Sequence, residues 1–238
     1  MQPQLTLVLL PGMDGTGELF AAFIQALGNA ALPLVVRYPT DQPLDYEGVT
    51  AYAREYLPQD RPYVVLGESF SGPVAIALAA SRPPGLVGLI LSCSFARNPT
   101  PVFTMFRHVL GALPVSASLT GLIAPFLLGA SSTPVLRRQL AAALRQVAPA
   151  VMRARMRTVL EVDYSARMRE VQVPLLYLQG SGDRTVLAGA ARHLAMLAPR
   201  MHLRQLEGPH MLLQANPAAS AREVADFLRS VQPRSNPA

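Results

Sequence analysis

The sequence predicts an α/β fold, a doubly wound and mostly parallel sheet of about six strands with a helical cap inserted into it. Three observations carry this. Short, almost wholly apolar runs alternate with segments of helical period, as expected when a parallel sheet is covered on both faces. Glycine and proline close the runs, giving each an end. Between residues 97 and 169 the alternation stops, and it then resumes.

Residues 5–10 form the first run, closed by Pro11 and Gly12. Leu19, Phe20, Phe23, Ile24 and Leu27 then recur at helical spacing up to Gly28. Residues 34–38 read as the second strand, ended by Pro39, and 46–57 as an amphipathic helix stopped at Pro58. A strand at 63–66, an alanine-rich helix at 73–80 and a strand at 86–92 follow. From 97 to 168 helical segments are punctuated by Pro101, Pro114, Pro125, Pro134 and Pro149. Their apolar residues, among them Phe103, Phe106, Leu122, Ile123, Phe126, Leu127 and Leu128, serve either to line an acyl pocket or to pack on the sheet. A strand at 173–178, a helix at 187–197, a strand at 201–206 and a helix at 217–231 complete the pattern. The expected division is a core of 1–96 and 170–238 with a cap of 97–169.

The chain has 238 residues, half of them apolar, enough for one sizeable core and too many for a disordered chain. Cys93 is the single cysteine, which excludes an internal disulfide and any cysteine-based metal cluster, and fits a reducing, cytoplasmic setting. The apolar start lacks the basic leader and cleavage site of a signal segment. No apolar stretch reaches the roughly 18–20 residues that span a bilayer. All 21 basic residues are arginine, and the net charge is +6. Ten of the arginines lie between 97 and 169, against only Glu161 and Asp163. Such an insertion can steer an anionic substrate or an acidic acyl-carrier protein, with Arg153, Arg155 and Arg157 as candidates for that contact. A solvated helical face explains the same charge.

The chemistry centres on Gly67-Glu68-Ser69-Phe70-Ser71-Gly72, where the strand at 63–66 breaks into a turn of small residues before a helix. Such an elbow lifts the Ser69 hydroxyl above the sheet edge, and the flanking small residues avoid collision across the turn. A serine hydroxyl needs a base, and the base needs an acid to orient it. His108, His193 and His202 fall where structural roles suffice. His210 lies instead in a glycine and proline loop beyond the last strand, and Asp183 in the loop after the preceding strand, both at the sheet edge where the elbow opens. Two backbone N–H groups must face the developing oxyanion. Phe70 follows the nucleophile, and by position Met13 in the loop 11–17 is the second. Gly12, Gly15 and Gly17 of that loop fit neither a dinucleotide fingerprint nor a P-loop, so no cofactor or metal is expected.

With Ser69, Asp183 and His210 in this chain order, the sequence resembles the α/β-hydrolase family over the whole sheet portion. The resemblance implies a reduced, six-stranded form of that fold, Ser69 as nucleophile, His210 as base, Asp183 as its orienting acid, and Met13 and Phe70 as oxyanion donors. Two features depart from the pattern: Ser71 stands where a glycine is usual, and Pro11 where a histidine often precedes the oxyanion glycine. The stretch 9–17 is similar to the phytyl ester synthase branch, and the basic cap to pimeloyl-acyl-carrier-protein methyl ester esterases. The function implied is a serine esterase acting on a small-molecule ester through an acyl-enzyme. The alternatives are an acyltransferase, a thioesterase or esterase acting on acyl-carrier protein or acyl-CoA, and a non-catalytic binding protein of the same fold. No nucleic-acid partner is expected.

Overall fold

The computed structural model describes residues 4–99 and 120–232. The expectations placed on Pro101, Phe103, Phe106, His108, Pro114 and the side chain of Leu122 lie outside the described residues. One sheet contains β1 (Thr6–Leu10), β2 (Leu32–Val35), β3 (Tyr63–Glu68), β4 (Leu86–Ser92), β5 (Leu175–Gly180) and β6 (His202–Leu206). Its order is β2-β1-β3-β4-β5-β6 and every pairing is parallel. The chain runs from β1 out to the β2 edge and returns past β1 to β3, so the strand order reverses there. Loops leaving the carboxyl ends of strands at such a reversal border a crevice, the usual ligand position in a sheet of this kind.

Alternate side chains of the central strands enter opposite layers. Val8, Leu10 and Val65 join a cluster with α2 (Tyr46–Arg54) and α3 (Ser71–Ala80), while Leu7, Leu9, Val64 and Leu66 join one with α1 (Ala21–Leu27). Because β1 and β3 are buried along their whole length, their sequences are continuous apolar runs without alternation. The second strand differs from expectation, spanning Leu32–Val35 and not 34–38. Pro33 lies inside it, paired with Leu7, and this is tolerated because β2 is the edge strand. Beyond it the chain leaves the sheet, and the Tyr38 N–H donates to the Gly15 carbonyl at 2.8 Å.

Between β4 and β5 come α4 (Thr120–Leu128), α5 (Pro134–Arg145), α6 (Pro149–Glu161) and α7 (Ser165–Glu170). Pro134 and Pro149 open helices, where a missing N–H costs nothing, and the Thr133 hydroxyl caps α5 by accepting from Leu136 N–H. The two ends of this segment meet: Arg97 and Asp163 form an antiparallel bridge, and the Tyr164 N–H donates to the Ala96 carbonyl at 2.7 Å. Two small apolar clusters attach its helices to loops of the sheet domain. Ala124, Leu128 and Leu140 gather with Met211, and Val147, Val151 and Met152 with Met13. Met168 of α7 is buried in the large cluster beneath α3. After β5 follow α8 (Ala188–Leu197), α9 (Leu212–Ala215), a short turn the sequence pattern did not announce, and α10 (Pro217–Val231). Among the described residues no helix is long and apolar enough to cross a membrane.

Candidate active site

β3 delivers Ser69 to a turn in which its φ is 49°, a left-handed conformation that few non-glycine residues adopt. The turn is held from several sides. Ser69 N–H donates to the Ser92 carbonyl at 2.9 Å, Gly72 N–H to the Ser69 carbonyl at 3.0 Å, and the Ser94 hydroxyl to that same carbonyl at 2.6 Å. Gly67 is required by close approach, since a Cβ there would stand 2.5 Å from the Ser71 carbonyl oxygen. Ser71 is more than small. Its buried hydroxyl donates to the Pro11 carbonyl and pairs at 2.7 Å with the Tyr38 hydroxyl, tying the elbow to the loop after β1.

The loops after β5 and β6 are joined to each other by backbone bonds. Ser181 N–H donates to the Leu206 carbonyl and Gly182 N–H to the Gly208 carbonyl, each at 2.8 Å. This pairing brings Asp183 to His210, and His210 to the elbow. Ser69 Oγ lies 2.8 Å from His210 Nε2, and His210 Nδ1 lies 2.9 Å from Asp183 Oδ2. The other Asp183 oxygen accepts from the N–H groups of Thr185 and Val186, each at 2.8 Å. Both side chains are nearly sealed from solvent, at 5% exposure for His210 and 2% for Asp183. From above, Met211 N–H donates to the Leu127 carbonyl of α4 at 2.9 Å. Such a chain of bonds allows an imidazole to take a proton from the hydroxyl while a carboxylate fixes its tautomer.

The loop 11–17 turns on a bond from Gly15 N–H to the Gly12 carbonyl at 3.0 Å. Asp14 is buried in it and accepts from both the N–H and the hydroxyl of Thr16, at 2.9 and 2.6 Å. Among the described residues, neither Met13 N–H nor Phe70 N–H is engaged by another group. Phe70 is itself fixed, its ring stacked on Tyr46 at 4.9 Å. The remaining candidates stay apart from this cluster. His193 is bonded to the Ser165 hydroxyl at 2.9 Å, His202 is exposed on β6, and Asp45 caps α2 through Gly48 N–H.

Several polar residues at the site carried no sequence signal of their role. Glu68, next to Ser69, is buried, and Gln214 of α9 donates to its Oε2 at 3.3 Å. A Cβ on Gly12 would stand 3.6 Å from Asp14 Oδ1 and 4.0 Å from Glu68 Oε2, so both carboxyl groups flank that peptide. Burial pushes the Glu68 carboxyl up to about 8, opposed by the Gln214 bond and reinforced by Asp14. The folded state therefore holds a proton that the unfolded chain releases near 4.5. Stability should fall as pH rises from about 4.5 to about 8, by up to about 1.4 kcal/mol per pH unit. Glu68→Gln, which cannot ionise, should flatten that slope, as denaturant melts at pH 5.5, 7 and 9 will show; equal slopes in both proteins would reject the assignment.

Arg155 corrects the expectation of a docking residue: it is 2% exposed and turned inward. Arg137, Arg138, Arg145 and Arg157 are the exposed members of the group on α5 and α6. Cys93 lies beside Asp183 and His210, with Sγ, an Asp183 oxygen and a His210 ring nitrogen all within 4.8 Å of one another. Burial, then the Asp183 charge, push its thiol well up, and a protonated thiol is neither a metal ligand nor a nucleophile.

A model of the alpha/beta hydrolase family matches residues 7–224. Phytyl ester synthase 1, chloroplastic, of Arabidopsis thaliana is 34% identical over 40% of this chain and 15% of its own length. AMB antimetabolite synthetase AmbE of Pseudomonas aeruginosa is 30% identical over 96% of this chain and 11% of its own. The chain thus spans less than a sixth of either curated relative. Among solved structures, a thermophilic esterase from Thermogutta terrifontis superposes with a TM-score of 0.84 at 18% identity, covering 98% of this chain and 92% of that one. At that identity the likeness speaks for the fold.

Proposed function

The chain belongs to the alpha/beta hydrolase family, and on that premise we propose that it is a serine esterase. The carrying observation is the unbroken chain from Ser69 Oγ through His210 to Asp183, at 2.8 and 2.9 Å, on an elbow held at positive φ. Ser69 Oγ attacks the carbonyl carbon of a small-molecule ester as His210 Nε2 takes its proton, and Asp183 stabilises the resulting imidazolium. The carbonyl oxygen, now negative, accepts from Met13 and Phe70 N–H. The tetrahedral species collapses, the C–O bond to the alcohol breaks, and His210 returns the proton to the departing oxygen. Water, deprotonated by the same imidazole, then attacks the acyl-enzyme; the bond from the acyl carbon to Ser69 Oγ breaks, His210 returns the proton to Oγ, and the acid is released. The helical segment 97–169 is proposed to cap this site, and a reducing, cytoplasmic setting goes with the single buried cysteine.

A fluorophosphonate, which phosphonylates an activated serine, should label Ser69 stoichiometrically, and p-nitrophenyl esters of graded chain length should then define the acyl pocket. A folded protein that resists the probe is a non-catalytic member of the family.

A second reading keeps the acyl-enzyme and changes its partners. Part of the chain aligns with a phytyl ester synthase, an enzyme named for making an ester, which favours an acyltransferase; a thioesterase or esterase drawing on acyl-carrier protein or acyl-CoA is the related alternative. The exposed Arg137, Arg138, Arg145 and Arg157 offer an acidic carrier its contact. Partition of a preformed acyl-enzyme between water and an added long-chain alcohol separates this reading from simple hydrolysis.

A further inference from the structure

Arg155 lies on the buried stripe of α6 with Val151, Met152 and Thr158. Its Nη1 donates to the carbonyls of Met13 and Asp14, both at 2.8 Å, and its Nη2 to the carbonyl of Pro39 at 2.9 Å. Among the described residues no carboxylate forms an ion pair with it. A cation sealed in this way is costly unless its donors are used, and here neutral carbonyls use them. The loop is shaped for the guanidinium. Gly15 has φ 72°, and a Cβ there would fall 2.5 Å from Nη1. The Tyr38 ring closes another side, its centroid 5.8 Å from Cζ.

We propose that Arg155 is a positioning residue for the oxyanion hole, so that the hole is competent only while α6 is seated on the loop. The inference rests on the esterase reading. The Met13 N–H is bracketed along the chain. Before it, the Pro11 carbonyl is fixed by the Ser71 hydroxyl; after it, the Met13 and Asp14 carbonyls are fixed by Arg155. The Met13 N–H is coplanar with the Gly12 carbonyl, which accepts from Gly15 N–H, and with the neighbouring peptide groups fixed on both sides it has little freedom to swing from the oxyanion position. Arg155 touches no reacting atom and acts through this loop. Tyr38 meets both arms of the bracket, bonding Ser71 and lying against the guanidinium.

The test compares Arg155→Met, which keeps an unbranched stem and removes the donors, with Arg155→Lys, which keeps the charge and reaches fewer carbonyls. A complete loss of one oxyanion donor costs about 10²–10³ in kcat, so a loosened one should cost about 10- to 100-fold in Arg155→Met, with KM within about threefold. Affinity for a trifluoromethyl ketone, which Ser69 converts to a tetrahedral oxyanion, should fall in step, and Arg155→Lys should be intermediate. Independently of activity, amides of residues 12–17 should exchange hydrogen faster in Arg155→Met while those of β3 do not. If Arg155→Met does not fold, Arg155→Lys decides by the same readings. Unchanged kcat and ketone affinity in a folded variant, or unchanged exchange of the loop, would overturn the proposal. Wild-type protein without esterase activity or probe labelling would instead sink the esterase reading, leaving the exchange data to judge the brace.

Discussion

Ser69→Ala should lower kcat for p-nitrophenyl esters by about 10⁴-fold or more while leaving the melting temperature within a few degrees of wild type. On the esterase reading the chemical loss is large because covalent catalysis disappears, and His210 then has no hydroxyl to activate. The structural loss is small. Serine already occupies φ 49°, so alanine inherits the backbone strain and does not create it. The bonds that hold the turn run from Ser69 N–H to Ser92 and from Gly72 N–H and the Ser94 hydroxyl to the Ser69 carbonyl, none of which involves Oγ. Stopped-flow or steady-state assays beside a thermal melt check both halves. Full turnover in a folded Ser69→Ala protein would remove the nucleophile from the mechanism.

The parts of the fold that could be read from sequence are those set by local rules. Burial on both faces makes β1 and β3 apolar runs, and the elbow needs small residues at Gly67 and Ser71 whatever surrounds it. The positions of Asp183 and His210 followed from knowing which end of the sheet each loop leaves. What could not be read depends on distant partners. The apolar pattern starts the second strand only at 34, and it is the place of β2 on the sheet edge that lets the strand begin at Leu32 and include Pro33. Ser71 looked like a concession to size, and its hydroxyl bond to Pro11 spans sixty positions. Arg155 looked like surface charge, yet its acceptors lie 116 to 142 positions away. One local hint existed: Val151, Arg155 and Thr158 share a helical stripe, so an arginine stood where the period called for a buried residue. The same stripe rule separates Arg155 from Arg157, which is exposed.

Asp183→Asn should reduce kcat by about 10³–10⁴-fold with little effect on KM or on stability. The reason lies in how the carboxylate divides its oxygens. Oδ1 accepts from two backbone N–H groups, of Thr185 and Val186, and Oδ2 from His210 Nδ1. An asparagine must keep its carbonyl oxygen toward the two N–H groups, since turning its NH₂ there would set donor against donor twice. Its NH₂ then faces Nδ1 and donates, which leaves Nδ1 unprotonated and moves the imidazole proton to Nε2. That nitrogen lies 2.8 Å from Ser69 Oγ and can no longer take the hydroxyl proton. Asp183→Ala mixes this with a second effect, because the Thr185 and Val186 N–H groups lose their acceptor at an unmet cost of about 1–3 kcal/mol each. The asparagine variant therefore isolates the tautomer. Nitrogen chemical shifts of the His210 ring should report protonation at Nδ1 in the wild type and at Nε2 in Asp183→Asn, tracking the loss of kcat. An asparagine variant that keeps a tenth or more of wild-type turnover would mean that another group orients His210.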